Sequence, residues 1–297
     1  MNTSIVINTP SSKIGRALAA RLLDAGEHVT ILSRDKKKVD ELVLRGARVV
    51  EGSFEDPALL ARALEGAEAL FWLTPPPARP DYYGWATKCA KQAAAAAKNA
   101  GTRRAVIVSS MGAHTGPGTG AVGPAREMEN DFEAALPAVV SLRAGIFMEN
   151  FLLSADMIAK AGQIFVPIPA GKRWPLVATA DIAAKAACWL LDRGWSGHHR
   201  VGVHGPKDLS TDEAAAIISS VLGQPVKCVD VTLSQARDAL TGMGMPGFVV
   251  ENIIEMYVAF REGRLDPAEP RTPDTTTPTT LAEFARTMLV PAIRARL

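Results

Sequence analysis

Ser4-Ile5-Val6-Ile7-Asn8-Thr9-Pro10-Ser11-Ser12-Lys13-Ile14-Gly15-Arg16 is the stretch on which the reading of this chain turns. A short, β-branched apolar run (Ser4–Asn8) meets a polar turn, and an amphipathic helical pattern then runs from Ile14 to Ala25. A buried strand feeding directly into a helix opens a doubly wound α/β fold, whose first turn is a phosphate site. Glycine at 9, 12 and 15 would complete a GxxGxxG turn. Gly15 is present and allows close packing of helix on strand, while Thr9 and Ser12 replace the other two. A Cβ at position 12 pushes a pyrophosphate outward. The hydroxyls of Ser11 and Ser12 nevertheless offer donors at a helix N-terminus whose amides already favour anions. The turn is read as a dinucleotide site, with a lost site as the alternative.

Working outward, the same unit recurs. Apolar runs at His28–Ser33, Ala47–Glu51, Ala69–Thr74, Ala105–Ser110 and Val139–Arg143 alternate with helical patterns at Asp35–Leu44, Pro57–Leu64 and Trp85–Asn99. Near-continuous hydrophobicity marks strands buried on both faces of a parallel sheet. The expected class is therefore α/β, a doubly wound parallel sheet of the Rossmann type. After Arg143 the alternation stops, and a helix over Phe147–Ala161 leads into the Pro/Gly-rich Val166–Gly171. Residues 1–150 are read as the dinucleotide-binding domain and 151–297 as a smaller α/β substrate-binding part interleaved with it. The second part holds strand patterns at Arg200–Val203 and Val226–Val231, a helix capped at Ser210 or Thr211, and a surface connector at Pro267–Thr280.

Composition narrows the function classes. The 297 residues carry a formal charge of +2 with basic residues spread along the chain, which leaves no footprint for nucleic acid. Cys89, Cys188 and Cys228 lie far apart without CxxC spacing, so neither a disulfide framework nor a metal site is expected. The start, Met1-Asn2-Thr3-Ser4, lacks a basic leader, and no run of about 18 apolar residues follows. A cytoplasmic protein without membrane or nucleic-acid partners is expected, with a small molecule as ligand and a homodimer left open.

At the end of the second strand, where an acid would grip the ribose 2′-hydroxyl of NAD, stands Arg34, followed by Lys36, Lys37 and Lys38. A guanidinium there suits the 2′-phosphate of NADP(H), and a solvated basic helix start is the alternative.

Lys13-Ile14-Gly15, Leu32-Ser33-Arg34, Leu73-Thr74-Pro75-Pro76, Val108-Ser109-Ser110, Leu142-Arg143 with Gly145 and Phe147-Met148-Glu149-Asn150, Ala180-Asp181-Ile182-Ala183, and Gly205-Pro206 with Leu209-Ser210 together resemble the NmrA-like family of atypical short-chain dehydrogenases/reductases, over nearly the whole chain. That family includes quinone and dye reductases, ergot-alkaloid cyclases that reduce an iminium, and proteins that bind dinucleotide without turnover. The resemblance implies NADP(H) held by Thr9, Ser11, Ser12, Ile14 and Gly15 in the turn and by Arg34 and Lys37 at the 2′-phosphate. It further implies Thr74 and Pro75 along the cofactor, Ser109 and Ser110 near the nicotinamide, and Ala144 to Phe147 at the carboxamide edge. Ser110 is the candidate catalytic residue, and Tyr83, Phe147 and Asn150 are assigned to the substrate. Two departures stand out. Ser53 replaces the family's aspartate after the third strand and is kept as a weakened cofactor contact, and Ala125 replaces the His or Lys that precedes a helix glutamate, here Glu129.

The Tyr-x-x-x-Lys pair of ordinary short-chain dehydrogenases is missing, because Tyr82, Tyr83 and Tyr257 are followed at that spacing by Ala86, Thr87 and Arg261. Without that proton donor, feasible acceptors are already electron-poor and planar: a quinone, an iminium or a conjugated dye. An NADPH-dependent reductase is the leading expectation. A non-catalytic redox sensor and a cofactor-independent isomerase or cyclase are the alternatives. Gly112–Gly123 reads as a mobile glycine-rich loop, the histidines as solvated, and Glu127 and Glu129 as surface ion-pairing groups beside Arg126.

Overall fold

The alternation of buried runs and amphipathic segments becomes a regular βα succession. In the computed structural model β1 (Ser4–Ile7), α1 (Lys13–Asp24), β2 (His28–Ser33), α2 (Asp40–Leu44), β3 (Arg48–Glu51), α3 (Pro57–Leu64), β4 (Ala67–Leu73), α4 (Tyr82–Asn99), β5 (Arg104–Ser110), α5 (Ala125–Ala135) and β6 (Ala138–Ala144) follow in order. The structure describes residues 4–76, 79–169 and 171–296. Met1, Asn2 and Thr3 of the N-terminal reading, Pro77 and Ala78, Ala170 of the Val166–Gly171 stretch, and Leu297 lie outside the described residues.

Beyond β6 come β7 (Ile146–Phe147), α6 (Ala155–Ala161), β8 (Gln163–Val166), β9 (Trp174–Val177), α7 (Thr179–Leu191), β10 (Gly197–Val203), β11 (Asp208–Leu209), α8 (Thr211–Leu222), β12 (Lys227–Asp230), α9 (Leu233–Gly242), α10 (Gly247–Arg261), α11 (Leu281–Phe284) and α12 (Val290–Arg294). Among the described residues the main sheet has seven strands in the order β10-β6-β5-β4-β1-β2-β3. Every pairing in it is parallel. The direction of winding reverses between β1 and β4, and in such sheets ligands bind in the crevice at that reversal. Asn8, 2% exposed, ties the two strands just there, its amide donating to Leu73 O and its carbonyl accepting from Leu73 N, both at 2.9 Å.

Two layers cover the sheet. On one face Ile14, Leu18 and Leu22 of α1 pack with Ile182, Ala186 and Leu190 of α7. On the other, Leu60 and Leu64 of α3, Ala90, Ala93 and Ala97 of α4 and Phe132 of α5 enclose Trp72 and Ile107. The alanine run of α4 lets that helix sit close, since a methyl is all that separates it from its neighbours. Three-stranded (β11-β9-β7) and two-stranded (β12-β8) sheets with α6 and α8 to α12 form the remainder. No described helix is long and apolar enough to cross a membrane.

Several local readings change. The Arg200–Val203 run lengthens to β10 and joins the main sheet as its edge strand, in register with β6. The helical stretch Phe147–Ala161 opens as 3-10 turns over Met148–Ser154 before α6, and Asp35–Leu44 does the same over Lys36–Val39 before α2. The Pro267–Thr280 connector is a strap laid against the sheet rather than a free surface run, with Thr275 and Thr277 buried and Thr276 bridged to His204. Its far end is held by Asp181, which accepts from Thr279 N at 3.0 Å and from Thr279 Oγ1 at 2.7 Å.

Candidate functional site

The turn after β1 is built by its own hydroxyl. Ser12 is the N-cap of α1; its Oγ accepts from Gly15 N at 2.9 Å and donates to Thr9 O at 2.8 Å. The hydroxyl of Ser12, expected to face a phosphate, is therefore engaged within the turn, while Ser11 is exposed beside it. Positive φ is confined to glycines among the described residues, so Thr9 and Ser12 sit in backbone conformations that any residue adopts. Gly15 is different: a Cβ there would lie 2.0 Å from Thr9 O. Helix and turn meet at a distance that glycine alone permits. The first turn of α1 has no acidic residue, and its opening amides lack intrahelical partners. The residues present thus fit a phosphate group. Replacing Ser12 by alanine is expected to remove about 1 kcal/mol of stability through the lost cap, while glycine there costs only a few tenths, as read by chemical denaturation.

Next to the turn lies a basic corner. Arg34, Lys36, Lys37 and Lys38 are all exposed. Asp35 caps the short turn that carries the lysines by accepting from Lys37 N at 3.0 Å, and Arg16 of α1 anchors it by donating to Lys38 O at 2.7 Å. Asp35 is thereby turned to its own backbone. Ser53, across from β2, accepts from Glu55 N at 3.2 Å and closes its loop in the same manner.

The ends of β4, β5 and β6 carry the other sequence-predicted residues. Thr74 accepts from Trp72 Nε1 at 3.2 Å, and Pro75 follows it, half-buried. Ser109 is buried and donates to Glu129 Oε1 at 2.5 Å, whereas Ser110 is partly exposed on the opposite face of β5. Ala144 is buried, Phe147 half-buried and Asn150 exposed. Gly145 lets β9 cross tightly, since a Cβ there would stand 2.3 Å from Pro175 O.

Glu129 is not a surface group. It is 1% exposed and accepts from Arg143 Nε at 2.9 Å and from Arg143 Nη2 at 2.6 Å, while Arg143 Nη1 reaches Glu269 of the strap at 2.7 Å. Burial alone would weaken the charge on Arg143, but the Glu129 and Glu269 carboxylates outweigh it and raise its pKa. A sequence signal existed: Arg143 lies in a fully buried, largely apolar strand, and a charge in that position demands a partner. His204 is likewise buried rather than solvated, and desolvation first, then Arg271, lowers its pKa.

The tyrosines point away from acid–base work. Burial first, then a 2.7 Å hydrogen bond to Glu127, pushes Tyr83 up to about 12. Burial does the same for Tyr82, also to about 12, and raises Tyr257. Glu149 of the Phe147–Asn150 stretch caps α7, accepting from Thr179 N at 3.1 Å. The loop Gly112–Gly123 is pinned rather than free. A Cβ at Gly112 would strike Leu265, one at Gly120 would lie 2.0 Å from Asn252 O, and Gly120 N donates to Glu255 at 3.1 Å. Beyond the ends of β5 and β6, Met111, Ile168, Trp174, Phe260 and Leu265 form an apolar wall.

The model of the NmrA-like family matches residues 1–285. A NAD(P)H azoreductase of Xenophilus azovorans is 31% identical, over 85% of this chain and 86% of that protein. A (4-alkanoyl-5-oxo-2,5-dihydrofuran-3-yl)methyl phosphate reductase of Streptomyces griseus is 32% identical, over 80% of each. Among solved structures, an NADPH-dependent quinone oxidoreductase of Escherichia coli complexed with NADPH superposes with a TM-score of 0.81 at 24% identity, over 95% of this chain and 98% of that one.

Proposed function

This chain belongs to the NmrA-like family, and on that premise we propose that it is an NADPH-dependent reductase of a planar, electron-poor small molecule. The observation that carries the reading is the capped, acid-free turn at the sheet's winding reversal, with the exposed guanidinium of Arg34 at the end of β2 beside it. Its relatives at 31% and 32% identity are named as reductases, one of them of azo compounds, and support the same chemistry.

When bound, NADPH supplies a hydride. The chain's own contribution is to hold and orient. The amides opening α1 and the hydroxyl of Ser11 would take the pyrophosphate, and Arg34 with Lys37 the 2′-phosphate. Ser110, Ala144 and Phe147 would border the nicotinamide, and Tyr83, Phe147 and Asn150 the acceptor. The apolar wall around Trp174 and Phe260 keeps water from the ends of β5 and β6. None of the three tyrosines is placed to give up a proton easily, since burial raises all of them. Acceptors that take hydride first and a proton from water afterwards suit such a site. Residues 151–297 are proposed as the substrate-binding part, and a cytoplasmic protein without nucleic-acid partners agrees with the spread of charge.

The experiment is a calorimetric titration with NADPH and NADH. NADPH is expected to bind about tenfold or more tightly, and Arg34→Ala to erase most of that gap, because a charge-assisted contact is lost from one ligand only. Equal affinities in the parent protein would sink the assignment of Arg34. Phenylalanine at Tyr82, Tyr83 or Tyr257 is expected to change kcat for a quinone or azo acceptor by less than about tenfold. A loss of about a hundredfold or more at any one of them would identify a general acid.

A further inference from the structure

From the strap to β5 the described residues hold a continuous line of polar side chains, the half-buried Glu269 and the buried Arg143, Glu129 and Ser109. Arg143 grips Glu129 with two nitrogens, at 2.9 and 2.6 Å, and reaches Glu269 with the third, at 2.7 Å. A second guanidinium, Arg200, stands 3.5 Å from Glu129 and 2.8 Å from Glu133. Glu129 is thus a carboxylate fixed between cations, and a carboxylate in that state can only accept. The hydroxyl of Ser109 lies 2.5 Å from it, so the hydroxyl proton is committed to Glu129. What Ser109 presents elsewhere is oxygen lone pairs.

The position of Ser109 gives that polarity a use. Arg34 marks the 2′-phosphate side at the end of β2, and the α1 turn marks the pyrophosphate. In a sheet built of two mononucleotide halves the other half of the ligand then lies over β4, β5 and β6. Ser109 is the penultimate residue of β5, in register with Arg143 of β6. We infer that Glu269, Arg143 and Glu129 are positioning residues that hold Ser109 as a hydrogen-bond acceptor for the nicotinamide riboside half of the dinucleotide. This rests on the dinucleotide reading above. The donors available on that half are the carboxamide N–H groups and the ribose hydroxyls. The strap residue Glu269 acts at one remove, by keeping the Arg143 fork aligned on Glu129.

The test is binding rather than turnover. Dissociation constants are measured by calorimetry for NADP+, for 2′-phospho-ADP-ribose, which lacks the base, and for adenosine 2′-phosphate 5′-diphosphate, which lacks the whole riboside. Ser109→Ala leaves the ion pairs intact and is expected to weaken NADP+ by several-fold, up to about tenfold, the size of one hydrogen bond. Binding of the riboside-free ligand is expected to be unchanged. If the loss persists with 2′-phospho-ADP-ribose the donor is a ribose hydroxyl; if it vanishes, the donor is the carboxamide. Glu129→Gln, whose amide can itself donate to the serine, is expected to reproduce the loss, and the double variant to add nothing further. Where Glu129→Gln fails to fold by circular dichroism, Ser109→Ala and Glu269→Gln carry the test, the latter with a smaller loss in the same ligand pattern. Equal losses on all three ligands, no loss in Ser109→Ala, or parental affinity in a folded Glu129→Gln overturns the inference. A parent protein that binds none of the three overturns the dinucleotide reading itself and the inference with it.

Discussion

Replacing Arg143 by methionine is expected to cost the fold about 3–5 kcal/mol, because it removes the guanidinium that grips a buried carboxylate with two nitrogens, leaving Glu129 the longer 3.5 Å contact to the exposed Arg200, while filling much of the same space. Glu129, 1% exposed, loses its two-nitrogen contact, and Glu269 loses its partner on β6. Urea denaturation at neutral pH measures this. A loss under about 1 kcal/mol at neutral pH would mean that the pair contributes little more than a surface bridge.

Gly15→Ala is the second large effect. The added methyl would stand 2.0 Å from Thr9 O and 2.8 Å from Thr9 C, both backbone atoms, so α1 has to move off the end of β1. Overpacking of this kind costs about 1–3 kcal/mol, and the turn it distorts is the proposed phosphate site. The expected result is a folded protein, by circular dichroism, whose affinity for NADPH falls out of the measurable range. Gly84→Ala is the matched control. No atom lies within 4 Å of a Cβ there, and removing a glycine from the first turns of α4 is expected to leave binding unchanged and stability equal or higher. NADPH binding that survives Gly15→Ala would place the dinucleotide away from this turn.

The main sheet was legible because parallel strands buried on both faces write themselves as continuous apolar runs. Each of the six runs from Ser4 to Arg143 falls within about two residues of an observed strand boundary. β10 was harder to place for the converse reason. As an edge strand it opens with Gly197 and His198 exposed and His199 half-exposed, so its pattern does not announce membership of the same sheet. Gly15 was read for what it does, and the space around its Cα bears this out.

Ser12 shows the limit of residue-type reasoning. A hydroxyl at a helix start serves the backbone as readily as a ligand, and only the distances to Gly15 N and Thr9 O decide between the two. Glu129 shows another limit, since helix glutamates are surface groups by default and its partner Arg143 lies on a different element. The glycines of Gly112–Gly123 suggested mobility, yet Gly112 and Gly120 are there because Leu265 and the backbone of Asn252 occupy the space a side chain would need. Long-range partners of this kind are not written in local spacing.

The claim that this member of the NmrA-like family is an NADPH-dependent reductase is tested most directly by mixing the purified protein, anaerobically, with NADPH and a quinone or an azo dye and following both reactants. The account predicts saturable oxidation of NADPH, matched mole for mole by two-electron reduction of the quinone or in the stoichiometric ratio set by the dye, with NADH a much poorer donor. NADPH that binds but is never oxidised by any such acceptor would contradict the reductase assignment in favour of a sensor, and failure to bind either dinucleotide at millimolar concentration would contradict it altogether.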